Sequence, residues 1–158
     1  MTFTIGDKIV YPMHGAGIIE EIERKKILGE TREYYILRVP CGDMKIMIPV
    51  NSSDDIGVRG IVSQKELDEV FDFLSSGSSE MSGNWNRRYR ENMEKLKSGD
   101  IREVAEVVRN LTRTDRVKRL STGEKKMLSN AKQILISEMI LIGDYPRETA
   151  ERMIDELI

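Results

Sequence analysis

The chain has one cysteine, Cys41, in 158 residues, so it cannot close an internal disulfide. One histidine, His14, leaves zinc ligation and imidazole acid–base chemistry without a second ring. Aromatic residues are only 6% of the chain, and among them Trp85 is the sole tryptophan. No apolar run approaches the roughly 20 residues a membrane helix needs; the most apolar window, 134–142, is Ile-Leu-Ile-Ser-Glu-Met-Ile-Leu-Ile. Residues 1–7 lack the basic and apolar segments of a secretory leader, so a cytoplasmic protein is expected. The formal net charge of −2 argues against a general nucleic-acid coat protein. What is present, 39% hydrophobic and 33% charged residues, suits a soluble folded chain of one ordinary domain or two small ones.

The two ends of the sequence follow different periods. Lys8-Ile9-Val10-Tyr11 stops at Pro12, and Ile18-Ile19-Glu20-Glu21-Ile22-Glu23 follows Gly15 and Gly17. Gly29-Glu30 separates that run from Glu33-Tyr34-Tyr35-Ile36-Leu37-Arg38-Val39, as in a hairpin. Cys41-Gly42-Asp43 then reverses the chain into Met44-Lys45-Ile46-Met47-Ile48-Pro49. Four or five short strands in about 50 residues predict a small, strongly bent barrel. From Ser63 the pattern turns helical. Ser63-Gln64-Lys65-Glu66 is a capping box, and Leu67, Val70, Phe71 and Leu74 form one apolar stripe. The stretch 75–83 is Ser/Gly-rich and reads as a flexible loop. Helices are expected over 84–97, from Ile101 to about Arg113 with Val104, Val107, Val108 and Leu111 inward, from the capping box Ser121-Thr122-Gly123-Glu124 to Gly143, and after Pro146. The fold class is α+β: a bent β module and then about five helices. The expected boundaries are residues 1–55, a linker over 56–62, and a helical domain over 63–158.

Charge is unevenly placed. Net charge is −1 over residues 1–60, −4 over 61–83, +6 over 84–126 and −3 over 127–158. The small total therefore conceals a basic segment between two acidic ones. Within it, Asn84-Trp85-Asn86-Arg87-Arg88-Tyr89-Arg90 sets the tryptophan at a helix start with three arginines close behind. Helix N-terminal amides favour phosphate oxygens, and Arg87, Arg88 and Arg90 add charge-assisted contacts. A flat ring beside them can stack on a base or wedge between base steps. Equally, the ring can be a staple over the helix start, with the arginines merely solvated. Lys125 and Lys126 can extend the same surface. No catalytic constellation assembles: His14 beside Gly15 reads as a turn residue, Asp54-Asp55 as part of a linker, and Gly123-Glu124-Lys125-Lys126 lacks the glycines of a phosphate loop. The protein is therefore expected not to be an enzyme, and to use no cofactor or metal.

Motifs across both parts resemble the CarD/CdnL family of bacterial transcription regulators. They are Gly6-Asp7-Lys8-Ile9-Val10-Tyr11-Pro12-Met13-His14-Gly15, Gly29-Glu30 with Glu33-Tyr34, Asn84-Trp85-Asn86-Arg87-Arg88-Tyr89 and Lys95-Leu96-Lys97-Ser98-Gly99-Asp100. Val104-Ala105-Glu106-Val107-Val108-Arg109 and Leu120-Ser121-Thr122-Gly123-Glu124-Lys125-Lys126-Met127-Leu128 complete the set. The resemblance implies a Tudor-like β module that docks on the RNA polymerase β subunit, as in transcription-repair coupling factors. It also implies a helical domain that contacts promoter DNA at the upstream edge of the melted bubble. By that resemblance Trp85 is a minor-groove wedge, and Arg87, Arg88, Arg90, Lys125 and Lys126 meet the DNA backbone. Lys25 and Met47 fall on the polymerase face. Some relatives carry arginine at the position of Met47, and losing a desolvated charge-assisted contact costs about 1.5–3 kcal/mol. The expected function is a monomeric global regulator, nucleoid-associated through polymerase, that stabilises the open promoter complex. The alternative is an adapter tethered to polymerase that never touches DNA.

Overall fold

The computed structural model describes residues 2–40 and 44–158; the reversal expected at Cys41-Gly42-Asp43 lies outside them. The α+β architecture expected from the sequence is present, with a bent, Tudor-like β module first and helices after it. Strands β1 (Lys8–Tyr11), β2 (Gly15–Ile27), β3 (Glu30–Val39), β4 (Met44–Pro49) and β5 (Arg59–Gly60) form one antiparallel sheet in the order β4-β3-β2-β1-β5. A one-turn helix, α1 (Ser53–Ile56), precedes β5. The stretch 56–62, expected as a linker, thus contributes the strand that closes the edge beside β1.

Strand β2 bends the sheet. Its first residues pair with β1, its later ones with β3, and the register shifts between Ile19 and Glu21. Such a bulge increases local twist and lets one strand serve two directions. Phe3, Ile9, Ile19, Tyr35, Leu37, Val39, Ile48 and Val58 fill the concave side. The buried Tyr35 hydroxyl accepts from the Phe3 amide at 3.1 Å, so no polar group there is orphaned. Gly17 is needed for the close crossing: a Cβ there would stand 2.6 Å from the Arg38 carbonyl oxygen.

Between β2 and β3 the loop is two residues, Leu28-Gly29, both with positive φ (53° and 82°). That geometry suits Asn-Gly, and leucine in the left-handed region is strained. Leu28 is also fully exposed. Replacing Leu28 by asparagine is expected to stabilise the protein by about 1 kcal/mol, read as a higher urea midpoint.

The helices are α2 (Gln64–Ser75), α3 (Trp85–Lys97), α4 (Ile101–Val117), α5 (Thr122–Gly143) and α6 (Arg147–Leu157); the first four start at capping side chains, while α6 begins just after Pro146. Ser63 accepts from the Glu66 amide, Asn84 from Arg87, Asp100 from Arg102 and Ser121 from Glu124. Their core joins Leu67, Val70 and Leu74 of α2 to Val104, Val107, Val108 and Leu111 of α4, Leu135 and Met139 of α5, and Ala150 and Ile154 of α6.

The β module sits directly on α5. Ser137 accepts from the Ala16 amide at 2.8 Å, and the Lys8 ammonium donates to the Leu141 carbonyl at 3.0 Å. Val10, Ala16 and Leu141 pack together beside Ile18 and Ile61. From β5, Arg59 reaches Glu138 at 2.8 Å and the Gly99 carbonyl at 2.6 Å. Glu138 is completely buried, and burial pushes its carboxyl above the ordinary range while Arg59 opposes the shift. His14 is a turn residue, its ring 4.3 Å from that of Tyr11 and its Nδ1 3.2 Å from the Pro12 carbonyl.

Candidate nucleic-acid interface

The N-termini of α3 and α5 meet at one end of the helical domain, and Trp85 bridges them. Being the first residue of α3, it lies at an end that the following turns do not cover. Its ring stacks on Tyr89, one turn later, with centroids 5.1 Å apart and planes at 20°. Its Nε1–H donates to the Ser121 hydroxyl at 3.0 Å, across to the cap of α5. Gly123 lies beneath the two rings: a Cβ there would be 3.5 Å from Trp85 and 3.7 Å from Tyr89. Trp85 is nevertheless 42% exposed. The staple and the presented ring, alternatives in the sequence, are therefore combined in one side chain, held at its Nε1 edge and against Tyr89 and open over the remainder.

Below the ring is a bidentate ion pair. Arg88 Nε and Nη2 donate to the two Glu124 oxygens at 2.9 and 3.0 Å, and Nη1 donates to the Ser82 carbonyl at 3.2 Å. Glu124 is almost fully buried. The Arg88 hydrogen bonds hold its carboxyl below the ordinary carboxylate range, and in return Arg88 is held above its own. Glu124 is also the acidic residue of the α5 capping box, where the helix dipole favours it.

The six residues singled out in the sequence thus separate by environment. Trp85 and Arg88 lie together at the junction. Arg87 and Arg90, three apart, share the exposed face of α3, away from the face that carries Arg88, Tyr89 and the buried Asn92. Arg87 is paired with Glu91 at 2.8 Å, an exposed i,i+4 contact. Lys125 and Lys126 are exposed in the first turns of α5. Two residues of the junction were not singled out for it, the Ser121 that receives the indole and the Tyr89 that supports it. The capping box marked Ser121 as a helix start, but only the fold brings it to Trp85, 36 residues away.

On the β module, Lys25 and Met47 do come together: the ammonium lies 3.8 Å from the Met47 sulfur, reaching over the intervening β3. Lys25 also pairs with Glu23 at 3.5 Å. Among the described residues, no three of His, Cys, Asp and Glu cluster as metal ligands, and no helix is long and apolar enough to cross a membrane.

Residues 3–62 match the family described as "CarD-like/TRCF RID domain" and residues 69–155 match "CarD, C-terminal domain". A Bacillus subtilis (strain 168) protein named "Putative transcription factor YdeB" is similar to this chain, with 44% identity over 140 residues, or 89% of this chain and 92% of that one. With both parts matched in order, and a relative of this identity along nearly the whole length, the chain belongs to the CarD family.

Proposed function

We propose that the protein regulates transcription by holding RNA polymerase through its β module and stabilising the melted promoter with Trp85. The observation that carries this is the geometry of Trp85: a large aromatic ring fixed at its Nε1 edge and against Tyr89, yet still partly exposed, at the meeting point of two helix N-termini. Paired helix N-termini favour phosphate, and a rigid ring beside them suits insertion at an unstacked base step. Arg87, Arg90, Lys125 and Lys126 take the backbone contacts in this scheme. Arg88 instead positions: its guanidinium is committed to Glu124, and through that pair it fixes the base on which Trp85 rests.

A chain of net charge −2 with one basic segment binds free DNA weakly, since phosphate neutralisation dominates such affinity. Tethering through the module that carries Lys25 and Met47 raises the local DNA concentration and confines the contact to polymerase-bound promoters. A wedge that fits unwound DNA better than duplex shifts the closed–open equilibrium without covalent chemistry, so no catalytic role is proposed. The protein would work in the cytoplasm as a monomer.

The test is the half-life of open complexes under competitor challenge, with polymerase from the same source. Stacking of a base on an aromatic ring is worth about 1–3 kcal/mol, so Trp85→Ala should cut the gain in half-life roughly 5-fold or more. Lys25→Glu should weaken polymerase binding and lower the same gain. An undiminished gain with Trp85→Ala would refute the wedge and leave a protein-only adapter.

A further inference from the structure

The loop between α2 and α3 is rich in serine, and α4 turns two arginines toward it. Arg109 donates to the Ser76 hydroxyl at 2.9 Å and the Ser79 hydroxyl at 2.7 Å, and its guanidinium lies 4.1 Å over the Phe73 ring. Arg113, one turn on, donates to the Ser78 hydroxyl at 2.8 Å and the Leu74 carbonyl at 3.2 Å. The stretch expected to be flexible is therefore tied at three hydroxyls.

These bonds leave the Arg109 guanidinium without a carboxylate in direct contact among the described residues. Arg109 is only 2% exposed, and no carboxylate forms an ion pair with it or with Arg113 among the described residues. Glu106, the acid one turn before Arg109, is taken by Lys95. Burial and the neighbouring Arg113 push Arg109 below its ordinary pKa, and the nearby Glu106 only partly opposes them. Buried cations are ordinarily matched by an anion, and here serine hydroxyls occupy the anion's place. A second observation points the same way. Asn110, 2% exposed, has its side-chain oxygen engaged by Arg109 Nε, while its amide nitrogen is buried without a partner. Asn110, Ser78, Ser79, Arg113 and Lys118 line a cleft of about 290 Å³ whose remaining wall, Met81, Val117 and Thr114, is largely apolar. Since one water takes roughly 30 Å³ of liquid, the cleft has space for a phosphoryl group.

We propose that Ser79 is a phosphorylation site whose phosphate is received by Arg109, Arg113, Lys118 and the Asn110 amide. Ser79 is preferred because its hydroxyl already meets the buried guanidinium, and because it borders a second cleft that also contains Lys118 and Arg119. Residues 75–80 are exposed, and 76–80 have no regular structure, so the hydroxyl can enter a protein kinase. There Ser79 Oγ attacks the γ-phosphorus of a nucleoside triphosphate. The new O–P bond forms as the bond to the β–γ bridging oxygen breaks, the diphosphate leaves, and the serine proton passes to the kinase's base. The dianion then returns to the two arginines and anchors the loop that leads, through Ser82 and the Asn84 cap, into α3. This receptor does not depend on Trp85 contacting DNA.

The experiment uses the full chain with phosphoserine encoded at position 79, followed by phosphorus NMR across pH. The second phosphate pKa is ordinarily about 6; in the receptor it should fall by about one unit or more. Arg113→Gln should return it toward the ordinary value, and Lys118→Gln, an exposed change that leaves the core alone, should return it in part. The phosphorylated chain should also melt several degrees above the unmodified one. In parallel, unmodified protein is titrated with inorganic phosphate, and phosphopeptides are mapped in protein taken from its native cells. A phosphate that titrates normally and ignores Arg113 would overturn the proposal, as would a map with no phosphate at Ser79 in any growth phase. Tight, Arg113-dependent binding of inorganic phosphate beside an unshifted phosphoserine would also overturn it, making the cleft a site for a free anion.

Discussion

Gly15→Ala is expected to cost about 2–5 kcal/mol of stability, combining left-handed strain with overpacking. Gly15 has φ +104°, where an L side chain is strained whatever the space. An added Cβ would also stand 2.6 Å from the Ser137 hydroxyl oxygen. That hydroxyl accepts from the Ala16 amide and donates to the Ile134 carbonyl at 2.6 Å, so it cannot withdraw without orphaning a buried group. The variant must either open the contact between β2 and α5 or distort both. Urea midpoints measure the loss. A double-mutant cycle with Ser137→Ala separates its parts. Ser137→Ala alone should cost about 1–3 kcal/mol for the unpaired Ala16 amide. Combined with Gly15→Ala it should cost less than the sum, because the clash is removed. Strict additivity would show that the strain is wholly local to Gly15 and that the helix does not press on it.

Arg88→Ala should be at least as damaging, about 3–5 kcal/mol, because it leaves the buried Glu124 carboxylate without its cation. Arg88→Met with Glu124→Gln should recover much of that, since the pair's net worth is far less than the cost of halving it. The pH dependence has a definite sign. The folded state holds the Glu124 carboxyl below its ordinary value, chiefly through its hydrogen bonds to Arg88. The stability this contributes is present above that ordinary value and is lost as pH falls through the folded-state value. Without Arg88, burial favours the neutral acid and is opposed only by the hydrogen bonds of Ser121 and Trp85. The gap between wild type and Arg88→Ala should therefore be wide at neutral pH and narrow on the acid side, as urea midpoints across pH 3–8 would show. Loss of the pair also loosens the floor under Trp85, so its fluorescence should shift toward that of a solvated indole.

Much of the fold could be read from residue order because local signals agreed with their surroundings. The boxes Ser63…Glu66 and Ser121…Glu124 mark helix starts by hydrogen bonds that close within three residues. Helix ends were harder. The apolar stripe of α4 stops at Leu111, yet the helix continues to Val117, which is 90% exposed; its last turns follow from backbone propagation and leave no trace in hydrophobic phase. Strand β2 begins three residues before the β-branched run, because Gly15, Ala16 and Gly17 are small for close packing and only resemble turn residues.

Long-range pairing was the part that residue order could not reveal. Arg87, Arg88 and Arg90 stand together in sequence, but helical rotation sends the middle one inward, where Glu124 waits on another helix. Arg109 looks like one more surface cation in an amphipathic helix, although it is a fully enclosed anchor for a loop some 30 residues earlier. Composition made that loop seem free, since serine and glycine give no sign of the guanidinium groups that hold it.

Helix α5 connects the ends of the proposed mechanism. Its first turn supports Trp85, and its fifth and sixth hold the β module through Ser137, Glu138 and Leu141. The sixteen residue steps from Ser121 to Ser137 span about 24 Å at 1.5 Å each. In the proposed mechanism a rod of that kind would be a ruler: it would fix how far along the promoter, and on which side, the indole arrives once the module is seated. One residue inserted in its middle would turn the two ends by about 100° relative to each other, setting the β module and the indole on different bearings and pulling Leu135 and Met139 out of the helical core.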